Sequence, residues 1–138
     1  MRSDQMPDLL EGSQIASSVS KFIANELGIP RGVSVVAGAG DNAAAACGVG
    51  IMQEGQGFVS LGTSGVLLTA RHAYTPLAQS AVHTFCHAIP KTWYQMGVIL
   101  SATDSLNWLS SVTGKSPIEL SEGLDQKITG PSSEKFYP

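Results

Sequence analysis

Asp41 stands in Ala39-Gly40-Asp41-Asn42-Ala43-Ala44-Ala45-Ala46, shortly after the apolar run Val33-Ser34-Val35-Val36-Ala37. An acid there lies at the mouth between a strand and a helix N-terminus. Its carboxylate can accept a proton, and the positive end of the helix dipole favours the ionised form. Some way on comes a glycine-bounded turn, Leu61-Gly62-Thr63-Ser64-Gly65. Its glycines expose backbone N–H groups, and Thr63 and Ser64 add hydroxyl donors. Such a concavity suits a phosphate. A proton acceptor followed by a phosphate cradle points to phosphoryl transfer, in which an ionised Asp takes the proton of the attacking hydroxyl.

Each feature also has a local structural reading. Asp is favoured as a helix N-cap for its own hydrogen bonding, and a capping role is compatible with a catalytic one. Gly62-Thr63-Ser64-Gly65 reads as a tight hairpin turn. It is not a Walker loop, because no Gly-Lys-Ser/Thr follows. Gly38-Ala39-Gly40-Asp41-Asn42-Ala43 matches a dinucleotide pattern but is rejected: Asp41 would set a negative charge beside the pyrophosphate. The acid expected at the end of the next strand is also absent, where Leu61, Gly62 and Thr63 stand. His83, Cys86 and His87 invite a metal. On a strand, however, the two histidines would stand about 13 Å apart, with Cys86 on the other face. Val82, Thr84 and Phe85 favour a strand there. Trp93 and Trp108 read as core anchors.

The elements that must position these residues follow from periodicity and punctuation. The first dozen residues read as loop. Ser13 to Leu27 reads as a helix stopped by Gly28-Ile29-Pro30. Val33 to Ala37 reads as a buried strand, and Asp41 to about Gly50 as a helix capped by Asp41. Gly57 to Leu61 and Val66 to Ala70 read as a hairpin, followed by strands over Val82–Ile89 and Thr92–Ile99 around Pro90-Lys91. Ser101-Ala102-Thr103-Asp104 opens a helix in the manner of a capping box. Ala102, Leu106, Leu109 and Val112 form its apolar stripe, and Gly114 stops it. A further helix is expected from Ser116-Pro117 to about Gln126, then a linker-like tail over 130–138. The order is α/β first, then antiparallel strands and a helix, β-β-β-α, with a boundary near Glu54 to Gln56.

The chain has 138 residues, enough for one ordinary domain or two partial ones. Charged residues make up only 14%, below the usual quarter or so, so much of the surface is expected to meet other protein. A net charge of -3 argues against nucleic-acid binding. No apolar stretch approaches a membrane span, and Met1-Arg2-Ser3-Asp4-Gln5 is not followed by the apolar core of a signal peptide. Cys47 and Cys86 lack metal or redox spacing and fit a reducing, cytoplasmic setting.

Gly40-Asp41-Asn42-Ala43-Ala44, Ser60-Leu61-Gly62-Thr63-Ser64-Gly65, Val82-His83-Thr84-Phe85-Cys86-His87-Ala88, Trp93 and Leu100-Ser101-Ala102 together resemble the FGGY carbohydrate kinases. Leu9-Leu10-Glu11-Gly12-Ser13 and Phe136-Tyr137-Pro138 also look like that family. The resemblance covers nearly the whole chain in order and spacing. The His83–Ala88 stretch favours members acting on D-xylulose over those acting on glycerol, whose equivalent of Asp41-Asn42 is usually Asp-Gln.

The resemblance implies an actin-like fold of two ribonuclease-H-like domains with the active site in the cleft between them. Residues 1–55 would be the end of the sugar-binding domain, and 56–138 the start of the ATP-binding domain. It also implies that Asp41 is the general base, that Asn42 lies beside the sugar, and that Gly62, Thr63, Ser64 and Gly65 form a phosphate loop near the γ-phosphate of ATP. The implied reaction converts ATP and D-xylulose to ADP and D-xylulose 5-phosphate, with Mg²⁺. Gluconate, ribulose and glycerol remain alternative substrates. The family's first phosphate motif and its glycine-rich adenosine motif have no counterpart in these residues, so the chain alone is expected to be inactive. A non-catalytic remnant that associates with itself is the rival reading, since unpaired sheet edges seek partners.

Overall fold

Ser20 sets the start of the first helix. Its side chain accepts from the Ile23 N–H, so helix α1 runs Lys21–Leu27 and closes at Gly28, whose φ of 65° is left-handed. The residues before it, Ile15–Ser18, form strand β1 rather than the first turns of a helix, correcting the expectation of a helix from Ser13. Serine and isoleucine are middling helix formers, and strand β2 (Ser34–Val36) offers antiparallel partners: Ile15 opposite Val36 and Ser18 opposite Ser34. The expected strand at 33–37 is therefore present but shorter, and it is not buried. Val33, Val35 and Val36 are 40%, 41% and 51% exposed. An apolar run reports a preference for burial; a second layer must supply it.

This computed structural model describes residues 2–122, 124, 130, 132–134 and 136–137. Helix α2 runs Asp41–Gly48, with Gly40 in the capping position at φ -62° and ψ 153°. Asp41 is thus the first helical residue and not the cap, a correction that leaves its charge in the first turn. A four-stranded sheet follows, made of β3 (Gly57–Leu61), β4 (Gly65–Arg71), β5 (His83–Cys86) and β6 (Trp93–Ile99), in the order β3-β4-β6-β5. β5 and β6 pair antiparallel, with Phe85 opposite Tyr94 and Cys86 opposite Trp93. Four strands thus precede the helix where β-β-β-α has three. A 3-10 turn at Ala78–Ser80, unforeseen in the sequence, precedes β5.

Helix α3 runs Thr103–Thr113 and ends at Gly114 as expected. Its cap is Ala102, with no side-chain bond, so the capping-box start is not realised. Helix α4 (Pro117–Ser121) does carry a full capping box between Ser116 and Glu119. It closes at Ser121 with Glu122 as its C-cap, short of the expected run to Gln126; residues 123 and 125–126 fall outside the described residues, as does Pro138 of the Phe136–Pro138 stretch.

Contacts divide the chain into two units. The first is Met1–Phe58 with Leu68–Met96, and the second Val59–Leu67 with Gly97–Pro138. Among the described residues every buried hydrophobic side chain, Ala24, Ala43, Ala46, Leu68, Ala70 and Tyr94, belongs to the first unit. In the second, Leu109 and Val112 of the α3 stripe stay exposed, and Trp108, expected in a core, is 52% exposed and packs at a tilt against Phe136. Trp93 is half-buried.

Candidate active site

In the first unit, Asp41 is exposed at the start of α2. Its Oδ1 accepts from the backbone N–H of Asn42 at 2.7 Å and from the Asn42 side-chain amide at 3.3 Å. The carboxylate is therefore oriented by its neighbour, and among the described residues its other oxygen has no hydrogen-bond partner. Four of the eight residues of that helix are alanine, and Ala43 and Ala46 are buried at 2% and 0% exposure. Small side chains let α2 lie close to other backbone. Tyr94 of β6 lies in the same unit. Burial first, then the Asp41 carboxylate and then Cys86, push its phenol above the ordinary tyrosine range. It therefore stays a neutral hydroxyl near a negative charge.

A cavity of about 480 Å³ in this unit is lined by Leu10, Glu11, Gly12, Gly40, Cys86 and His87, among others. Gly12 is required there: a Cβ would come within 2.9 Å of the Gly38 carbonyl oxygen. Sequence reasoning weighed His87 only as a metal ligand. It is buried, its Nε2 lies 3.1 Å from the Ile51 carbonyl oxygen, and its Nδ1 accepts from the Ile89 N–H at 3.2 Å. The strand reading of His83–Cys86 holds, and the exposed His83 stacks on Phe85.

In the second unit, Gly62, Thr63 and Ser64 form the turn between β3 and β4, and Gly65 is the first residue of β4. All three turn carbonyls are engaged. Ser64 accepts from the Gly62 N–H at 2.9 Å, and Thr63 from the Ala102 N–H at 2.6 Å. The Gly62 carbonyl takes the Thr103 N–H at 3.1 Å and the Thr103 hydroxyl at 2.7 Å. Among the described residues, the side chains of Thr63 and Ser64 make no hydrogen bond, and both are exposed. A turn with its acceptors used and its hydroxyls free is disposed to receive an acceptor-rich group such as phosphate. Gly65 serves packing: a Cβ would meet Ile99 Cγ2 at 2.7 Å and Ala102 Cβ at 3.1 Å. The part played by Ala102 and Thr103 was not foreseen. The sequence had offered a capping box at Ser101–Asp104, which the structure does not form.

The chain as a whole is similar to known proteins. No protein-family model matches the chain. The xylulose kinase of Escherichia coli (strain K12) is 46% identical over 115 residues, 83% of this chain and 24% of that protein. The xylulose kinase of Lactococcus lactis subsp. lactis (strain IL1403) is 39% identical over 133 residues, 94% of this chain and 26% of that protein. The crystal structure of a xyloylose kinase from Brucella ovis matches with a TM-score of 0.80 and 51% identity, covering 94% of this chain and 27% of that one. The chain belongs with the FGGY carbohydrate kinases. It spans about a quarter of the length of the curated relatives it matches. A gluconate kinase from Lactobacillus acidophilus shares the fold at a TM-score of 0.76 and 18% identity, over 95% of this chain. As an FGGY segment the chain is α/β with antiparallel sheets, and it holds part of a domain architecture whose remainder lies in the other three-quarters of its relatives. Its thinly buried second unit is consistent with that.

Proposed function

We propose that the chain carries part of the active site of an ATP-dependent sugar kinase, a transferase that phosphorylates D-xylulose to D-xylulose 5-phosphate. The observation that carries this reading is the shared sequence with xylulose kinases over 83% of the chain. Asp41 is the general base. Its carboxylate takes the proton of the sugar's terminal hydroxyl while that oxygen bonds to the γ-phosphorus and the bond to ADP breaks. Asn42 sits beside the sugar and fixes the carboxylate. Gly62, Thr63, Ser64 and Gly65 form the phosphate loop, in which the hydroxyls of Thr63 and Ser64 meet phosphate oxygens near the γ-phosphate of ATP. Residues 1–55 belong to the sugar-binding domain and 56–138 to the ATP-binding domain.

Among the described residues no group of three His, Cys, Asp or Glu could hold a metal. Mg²⁺ would enter with the phosphates of ATP, its usual mode of binding. Among the described residues no helix is long and apolar enough to cross a membrane, and a cytoplasmic setting suits the two free cysteines.

Phosphoryl transfer depends on several parts acting together, so the 138 residues alone are expected to be inactive. The test is ATP-dependent phosphorylation of D-xylulose, gluconate, ribulose and glycerol, by this chain and by one extended to the length of its relatives. Activity in the longer chain with preference for D-xylulose supports the reading. Activity in neither, with both folded and the longer chain binding ATP, overturns it. The second reading, a non-catalytic piece that self-associates, is favoured by the exposed apolar side chains of β2.

A further inference from the structure

Helix α2 has almost no side chains with which to hold its place. Of its eight residues four are alanine and one is glycine, and only Ala43 and Ala46 are buried. Beyond the packing of those two alanines, polar contacts of the chain on either side hold it. Before the helix, the Ala37 N–H donates to the Gln14 carbonyl and the Gly38 N–H to the Gly12 carbonyl, both at 3.0 Å. After it, the Ile51 N–H donates to the Ala46 carbonyl at 2.8 Å, and the Ile51 carbonyl meets His87 Nε2 at 3.1 Å.

We infer that His87 is a positioning residue for Asp41: a neutral imidazole, protonated on Nε2, that pins the exit of α2 to the β5–β6 turn. Two contacts choose the same tautomer independently. A carbonyl oxygen can only accept, so Nε2 must carry the hydrogen toward Ile51. The Ile89 N–H can only donate, so Nδ1 must be bare. The ring is 6% exposed, packs edge-on against Tyr94 at 6.1 Å, and its own backbone N–H donates to the Thr92 carbonyl at 2.9 Å. A buried imidazole with both nitrogens satisfied is a rigid pin. Since α2 is a short rod, holding its exit holds its entrance.

The pin itself does not depend on the kinase reading; calling its target the base does. The test therefore avoids activity. The wild-type chain and its His87→Leu and His87→Gln variants are compared by ¹⁵N NMR. In the wild type the Nε2–H tautomer is expected to be fixed. The Asn42 amide, bonded to the Asp41 carboxylate, is expected to resonate downfield. In His87→Leu that downfield shift is lost, and amide exchange over 44–49 rises about tenfold, as the loss of one buried hydrogen bond implies. In His87→Gln, whose side-chain N–H can reach the Ile51 carbonyl, both are restored. An unchanged Asn42 amide in a folded His87→Leu variant overturns the inference. Should that variant not fold, a wild-type ring found as the Nδ1–H tautomer, or as a mixture of the two, overturns it. Absence of phosphoryl transfer in a relative-length chain alongside these shifts would sink the kinase reading and leave the pin standing.

Discussion

The backbone N–H of Ala102 donates to the carbonyl of Thr63 over 2.6 Å, and Thr103 beside it gives both its N–H and its hydroxyl to Gly62. The entrance of α3, which has no side-chain cap of its own, is thus tied to the β3–β4 turn. One arrangement meets two needs. It gives the first N–H groups of the helix acceptors, and it occupies the turn's carbonyls so that donors are left for a ligand.

Replacing Thr103 by valine keeps the shape of the side chain and removes the hydroxyl. The expected cost is about 1 kcal/mol of stability, the usual net worth of such a bond, while Thr103→Ser should retain most of it. The urea midpoint of each variant measures this. Valine with a wild-type midpoint would mean that the hydroxyl does not hold the turn in solution.

Gly65 offers a sharper case. A methyl group there would press on Ile99 at 2.7 Å and Ala102 at 3.1 Å. Ile99 is half exposed and can yield, so Gly65→Ala is expected to destabilise by about 1–3 kcal/mol, the ordinary range for overpacking. The reading to check is a lowered melting temperature with unchanged far-ultraviolet circular dichroism. A neutral or stabilising change would show that glycine is kept for its backbone alone.

Much of this was legible from residue order. The hairpin about Gly62–Ser64, the start of α2 at Asp41, and the stop of α3 at Gly114 follow from glycine placement and apolar periodicity, and they appear where expected. Three things were not legible. Ile15–Ser18 became a strand because Ser34–Val36 offered it a pairing edge, which is a tertiary fact. Burial of β2, of the α3 stripe and of Trp108 was overestimated because a hydrophobic pattern cannot say whether a covering layer is present. The structural role of His87 stayed hidden: strand spacing argued against a metal there, but sequence shows neither Ile51 nor Ile89 beside it.

The Glu119 carboxylate accepts from the Ser116 backbone N–H and hydroxyl, each at 2.8 Å, and these bonds hold it below its ordinary value of 4.5. With the folded value depressed, the stability it contributes is present above the unfolded value and lost as pH falls through the folded one. The end of α4 should therefore fray as pH drops below about 4.5. An NMR titration following Glu119 and the Ser116 amide together checks this. Ser116→Ala should raise the midpoint toward the unperturbed value; an unmoved midpoint would count against the capping box.

In and beside β2, Val33, Val35 and Val36 are exposed, and α1 adds Phe22 at 70% exposure and Leu27 at 67%. Exposed apolar area of this kind on an isolated chain favours association. Sedimentation velocity is expected to show mass rising with concentration, and Val35→Lys should lower it. A clean monomer at all concentrations would set aside self-association.

Asp41→Asn tests the assignment at the centre of the proposed reaction. Asparagine keeps the size of the side chain and an oxygen for the Asn42 amide, whose bond to Asp41 is 2.7 Å, but it cannot take up a proton. In a chain of the relatives' length, turnover should fall by about a hundredfold to ten-thousandfold, the range for loss of a general base, with nucleotide affinity nearly unchanged. Thr63→Ala should do the reverse, weakening the use of ATP more than it slows the proton transfer. Steady-state kinetics with varied sugar and varied ATP separate the two effects. If Asp41→Asn weakened nucleotide binding as much as it slowed turnover, Asp41 would belong to the nucleotide's surroundings and the base would have to be sought elsewhere.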